Sequence, residues 1–135
     1  MRLGMVGLGR MGGNMVERLR AAGHEVIGYD ANPEVTEVAS LAELAERLGE
    51  PPRVVWVMVP AQVLDPVLDE LGGVLGEGDI VVDGGNSRWS EDAARAERLA
   101  RSGVRFIDCG VSGGVWGQIG RAQRLNSSHI TISYA

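Results

Sequence analysis

The run Gly7-Leu8-Gly9-Arg10-Met11-Gly12 constrains this chain more than any other stretch, because it separates a short apolar segment, Leu3 to Val6, from residues at helical spacing. Met11, Met15, Val16 and Leu19 recur on one side of a helix expected to close near Gly23. Strand, tight turn and helix in that order ask something different of each glycine. Gly7 permits the sharp turn, Gly9 lets the backbone approach a pyrophosphate, and Gly12 lets the helix pack closely. The helix N-terminus then offers N–H groups without intrahelical acceptors to an anion. The spacing alone also fits a purely structural turn. Its place inside a strand-helix-strand unit favours dinucleotide binding by Gly7, Leu8, Gly9, Arg10, Met11 and Gly12.

A second strand, Glu25 to Tyr29, ends at Asp30, which follows Gly12 by 18 residues. A carboxylate at about 20 residues from the glycine loop accepts hydrogen bonds from the adenosine ribose and repels a 2′-phosphate, so NAD is expected over NADP. The competing reading is local: Asp30 caps its own turn in Asp30-Ala31-Asn32-Pro33 through an Asx interaction.

The rest of the chain repeats the alternation. Pro33 is expected to open a short helical turn. Ser40 caps a helix carrying Leu41, Leu44, Ala45 and Leu48, with Glu43 at the capping-box position and Gly49 as the stop. Val54 to Val59 is continuously apolar, which predicts a central strand covered on both faces. Val63, Leu64, Val67, Leu68 and Leu71 form a helix closed by Gly72-Gly73. Ile80 to Val82 is a fourth strand ending at Asp83, Ser90 is expected to cap a helix from Glu91 to Ala100, and Val104 to Cys109 is a fifth strand. Five strands with four intervening helical segments predict an α/β, Rossmann-like doubly wound parallel sheet in three layers.

Size and charge narrow the class. A chain of 135 residues holds one domain, so any second domain lies outside it. The net charge is −5 and no basic cluster is present, which argues against nucleic acid. No apolar run nears the roughly 18 residues of a membrane span, and no leader-like pattern opens the chain, so a cytoplasmic protein is expected. His24 and His129 lack partners at metal-ligand spacing, and the single cysteine, Cys109, ends an apolar strand as a small hydrophobe would. All 13 basic residues are arginine.

Open α/β sheets bind ligands beyond the carboxyl ends of their strands. Three such ends carry candidates: Val59-Pro60-Ala61, Asp83-Gly84-Gly85-Asn86-Ser87 and Gly110-Val111-Ser112-Gly113-Gly114. The two glycine-rich turns can gather an amide, hydroxyls and backbone N–H groups around a small anion, or serve as ordinary turns.

Gly7 to Met15 resembles the opening signature of the β-hydroxyacid dehydrogenases, and the Asp83–Ser87 and Gly110–Gly117 motifs resemble their 6-phosphogluconate branch. The resemblance covers residues 1–117, read as a dinucleotide-binding domain. It implies that Asn86 lies at the substrate hydroxyl and the nicotinamide, that Val59 and Pro60 border the cofactor, and that Ser112, Gly113 and Gly114 receive the substrate's carboxylate end. Asp30 matches NAD-linked short forms rather than NADP-linked members, which carry Asn-Arg-Thr there. The implied reaction is oxidation of the C3 hydroxyl of 6-phosphogluconate by hydride transfer, then decarboxylation to ribulose 5-phosphate. A lysine base and a glutamate acid from the region after this domain do the proton transfers in the family. The chain contains no lysine, so the expectation is an inactive cofactor-holding fragment of a homo-oligomeric enzyme. A 3-hydroxyisobutyrate-type relative and a non-catalytic NAD-binding module are the alternatives.

Residues 118–135 lack the apolar periodicity of the earlier units, although Ile130-Thr131-Ile132 has the composition of a short strand. Ile119–Ala122 and Arg124–Ala135 resemble the in-frame translation of a sequencing-library adapter. This stretch is therefore set apart as a non-native tail.

Overall fold

The computed structural model describes residues 1–85, 89–109 and 130–133. Strand β1 (Arg2–Val6) leads through the glycine loop into α1 (Arg10–Ala21), followed by β2 (Glu25–Tyr29), α2 (Leu41–Leu48), β3 (Val54–Val57) and α3 (Ala61–Val74). Then come β4 (Ile80–Asp83), a 3₁₀ turn (Trp89–Glu91), α4 (Asp92–Ala100), β5 (Arg105–Cys109) and β6 (Ile130–Ser133). The sheet order is β2-β1-β3-β4-β5-β6. The first five strands are parallel, and β6 pairs antiparallel with β5, Phe106 facing Ser133. The expected doubly wound sheet is thus present. Its order reverses between β1 and β3, where open sheets of this kind take their ligands.

Local chemistry explains most element boundaries. Ser40 Oγ accepts the Glu43 amide at 3.1 Å and Glu43 Oε1 accepts the Ala39 amide at 3.2 Å, a reciprocal pair that starts α2. Gly49, at φ +86°, ends it. After β2, the Asn32 carboxamide accepts the Glu34 amide and its carbonyl accepts from Val35 and Thr36, giving a single turn where Pro33 was expected to open a helical one.

Four expectations need correction. Helix α3 continues through Gly72-Gly73 to Val74, because Gly72 is where the Leu99 side chain of α4 comes close, 3.5 Å from the position a Cβ would take. Ser90 does not cap α4; it lies within the 3₁₀ turn, and Glu91 precedes the helix without a side-chain cap. Strand β3 stops at Val57 rather than Val59, although the Met58 amide still donates to Val6 O at 2.7 Å. Lastly, β3 is fully covered on one face only. Val55 and Val57 are wholly buried against the Leu44, Leu64, Leu68, Leu71, Leu99 and Phe106 layer, whereas Val54 and Trp56 are half-buried beside Met5, Val16 and Val26. Helices α2, α3 and α4 share the first face; α1 packs on the second. No helix among the described residues is long and apolar enough to cross a membrane.

At the opposite end of the sheet from the glycine loop, Asp79 is completely buried. It accepts from the Arg53 and Gly76 amides at 2.7 and 2.8 Å and from Arg53 Nε at 3.0 Å, tying the start of β3 to the turn before β4.

Candidate functional site

The β1–α1 loop is shaped by two close approaches. Gly7 adopts φ +98° and its missing side chain is replaced by the Met58 carbonyl, so a Cβ there would strike β3's exit. Gly12 sits against the Gly7 carbonyl, which a Cβ would also strike. The loop is therefore folded onto itself and onto β3. Gly9 differs: among the described residues, none apart from its chain neighbours brings an atom within 4 Å of where its Cβ would stand. That side of the loop faces open space, as an approaching ligand requires.

Gly9 precedes α1 without any side-chain cap, and the first turn holds no acidic residue. The leading amides of α1 consequently present the positive end of the helix dipole outward. Arg10 and Met11 are exposed on that turn, while the Leu8 side chain folds inward against Gly28. The Leu8 amide points the other way and donates to Asp30 Oδ2 at 2.7 Å. Asp30 Oδ1 accepts the Asn32 amide at 2.8 Å, and the Asp30 amide donates to Thr36 Oγ1 at 3.0 Å. Asp30 thus caps its own turn, as the local reading expects, and in addition holds the glycine loop, a contact that neither reading contained. A carboxylate has about four lone-pair sites, so two accepted amides leave capacity for a ribose diol.

A cavity of about 400 Å³ opens over the reversal point of the sheet. Of the expected cofactor residues, Gly7, Gly9, Asp30, Val59 and Pro60 line it; Leu8, Arg10, Met11 and Gly12 shape the loop beside it. Much of its remaining wall comes from α3 through Val63, Pro66, Val67 and Glu70, and from Ala31 and Leu41. These wall residues were not singled out in the sequence. The signal was present, since Val63 and Val67 belong to the apolar stripe of α3. The stripe splits: Leu64, Leu68 and Leu71 are buried in the core, while Val63 is 43% exposed and turned toward the cavity. An open apolar slot bounded by a carboxylate and an uncapped helix start has the character of a nucleotide-binding cleft.

The two polar turns meet the described structure only in part. Gly84 packs on the Trp56 indole so closely that any side chain would collide with it, and the Gly85 amide donates to Asp83 Oδ1 at 2.9 Å. Asn86, Ser112, Gly113 and Gly114 lie outside the described residues. Cys109 is half-buried, and burial with Asp108 beside it pushes the thiol above its usual value, away from a reactive thiolate.

A buried group near these turns escaped the sequence reading. Asp83, Asp92 and Arg95 are at most 2% exposed. Arg95 donates to Asp92 Oδ1 at 3.2 Å, to Glu91 at 2.7 Å and to Asp65 at 3.0 Å. On α4 these charges fall in a sequence that reads as a solvated helix face, so only the crossover packing reveals them.

Comparison with known proteins adds relatives to this geometry. The family model described as the NAD binding domain of 6-phosphogluconate dehydrogenase matches residues 2–122. The chain is 44% identical over 124 residues to the NAD(+)-dependent, decarboxylating 6-phosphogluconate dehydrogenase of Haloferax volcanii, covering 84% of this chain and 40% of that protein. It is 33% identical to the decarboxylating 6-phosphogluconate dehydrogenase of Haemophilus influenzae, covering 83% of this chain and 26% of that protein. The structure superimposes on Plasmodium falciparum 6-phosphogluconate dehydrogenase, solved also with its cofactor NADP+, with a TM-score of 0.76 at 24% identity over 84% of this chain and 28% of that one. The chain therefore spans between a quarter and two fifths of these relatives' length.

Proposed function

This chain belongs to the family of the NAD binding domain of 6-phosphogluconate dehydrogenase, and from that membership we propose that it is the cofactor-holding portion of an enzyme that oxidatively decarboxylates 6-phosphogluconate. The observation that carries the reading is the cavity bounded by Gly9 and Asp30 at the reversal point of the sheet. Bound there, a nicotinamide dinucleotide supplies the hydride acceptor. The protein's own part is positioning. The α1 amides hold the pyrophosphate, Asp30 accepts the ribose hydroxyls, and Val59 and Pro60 border the cleft on the β3 side.

We assign NAD rather than NADP because the Asp30 carboxylate, fixed by the Leu8 and Asn32 amides, stands where a 2′-phosphate would bring like charge. The Haloferax relative's NAD(+) dependence is in line with this assignment. Asn86 is assigned to the substrate hydroxyl and nicotinamide, and Ser112, Gly113 and Gly114 to the substrate's carboxylate end. The acid and base belong to sequence beyond this domain, since the chain has no lysine. The complete protein is proposed to be a cytoplasmic homo-oligomer.

Residues 118–135 are proposed to be a non-native tail; the family match runs to residue 122 and leaves 123–135 outside it. The nucleotide record tests it: ordinary genomic codons under these residues would refute it. For the function, the test is 6-phosphogluconate oxidation by the protein extended with its native downstream sequence, followed as reduced cofactor. Turnover by the extended protein and none by this chain is expected. Inactivity of the extended protein on 6-phosphogluconate, with activity on 3-hydroxyisobutyrate, would overturn the substrate.

A further inference from the structure

Asp83 ends β4 and stands in register with Asp108 on β5, and Asp92 opens α4. These three carboxylates lie together at the carboxyl end of the sheet. Asp92 is 2% exposed. Its Oδ1 accepts from Arg95, but its Oδ2 is buried and meets no donor among the described residues. Asp108 is within hydrogen-bonding reach of Asp92.

Two carboxylates in contact in a desolvated site do not both ionise, and the one that keeps its proton becomes a donor. A proton on Asp108 supplies what Asp92 Oδ2 lacks. We propose that Asp108 is a positioning residue whose protonated carboxyl donates a hydrogen bond to Asp92 Oδ2, bracing the end of β5 against the start of α4.

Among the described residues, the charged and titratable groups facing Asp108 are Asp92 and Arg95 from α4, Asp83 from β4 and its own neighbour Cys109; the sequence of β6 (Ile130–Ser133) contains none. Arg95 does not neutralise the set by itself, because Glu91 and Asp65 share its donors. Burial, the contact with Asp92 and the charges of Asp92 and Asp83 push Asp108 up to about 7, with Arg95 pulling the other way. The brace matters because of what it joins. Asp108 lies just before Gly110–Gly114, and Asp92 lies shortly after Asp83–Ser87. Loss of the proton leaves two charges in contact and loosens the join between β5 and α4.

The test is a carbon-13 titration of the Asp108 side-chain carboxyl in this chain and in Asp92→Asn. The expected wild-type midpoint is about 7, falling by at least about one unit in Asp92→Asn, whose amide donates to an ionised Asp108. A wild-type midpoint in the ordinary carboxylate range, or one that Asp92→Asn does not move, overturns the proposal. Should Asp92→Asn fail to fold, Asp108→Asn decides. Its amide can donate to Asp92 without titrating, so its melting temperature should stay level from about pH 6 to about pH 8 while that of the wild type falls. Parallel curves for the two proteins would overturn the proposal.

Discussion

The Leu8 amide donates to Asp30 Oδ2 at 2.7 Å, joining the glycine loop to the end of the neighbouring strand β2. One carboxylate thus does two things: it holds the glycine loop and it lines the cavity beside that loop. Asp30→Ala removes both. The expected loss of NAD affinity is ten- to hundred-fold, in keeping with about 1.5–3 kcal/mol for hydrogen bonds to a charged acceptor. Isothermal titration of the two proteins measures it, and an unchanged affinity would separate Asp30 from the cofactor.

Gly9 and Gly12 lie three residues apart and should fail in different ways. Gly12→Ala drives a methyl into the Gly7 carbonyl, an overpacking expected to cost about 1–3 kcal/mol or more in stability. Gly9→Ala meets no atom of the described residues beyond its chain neighbours and keeps its ordinary φ of −69°, so stability should fall by at most about 1 kcal/mol. Cofactor affinity should nevertheless drop at least tenfold. Chemical denaturation alongside cofactor titration distinguishes them; equal stability losses would contradict the placement of Gly9.

Ser40→Ala removes the oxygen that accepts the Glu43 amide. A loss of about 1 kcal/mol is expected, read from urea denaturation, with cofactor affinity unaffected.

How the site was legible, and where it was not, follows the range of the forces involved. The glycine loop, the Ser40 cap and the Gly49 stop are dictated by residues a few positions apart, so their sequence spacing carries them. The Leu8–Asp30 bond spans 22 residues; the spacing points to a ribose contact for Asp30 and gives no sign that it holds the loop. On α3 the apolar stripe was visible, yet which members face the core and which the cavity depends on how the helix lies across the sheet. Arg95 and Asp92 read as an exposed i,i+3 pair; their burial is a consequence of α4 docking beside α3, where Arg95 reaches Asp65. Ser90 had the right chemistry for a cap, but a 3₁₀ turn takes its place.

Asp79 predicts the acid limit of stability. Burial alone raises its carboxyl, but the Arg53 side chain and the Gly76 and Arg53 amides together hold it below the ordinary value. The folded state therefore binds its proton less readily than the unfolded chain. Its contribution is complete above the ordinary carboxylate range and is lost as pH falls through the depressed folded value. Asp79→Ala leaves Arg53, with only 16% of its side chain exposed, without that partner; a loss of about 3–5 kcal/mol is expected. Denaturation across acid pH should show a shallower decline in the variant than in the wild type, the remainder coming from Glu37 and Asp65, whose carboxyls are also held below the ordinary value.

The most direct test of the account is titration of this chain with NAD and with NADP under the same conditions. Binding of NAD at least about tenfold tighter than NADP is predicted, because the Asp30 carboxylate accepts a ribose diol and repels a 2′-phosphate. NADP binding as tight as NAD, or binding of neither, would contradict it.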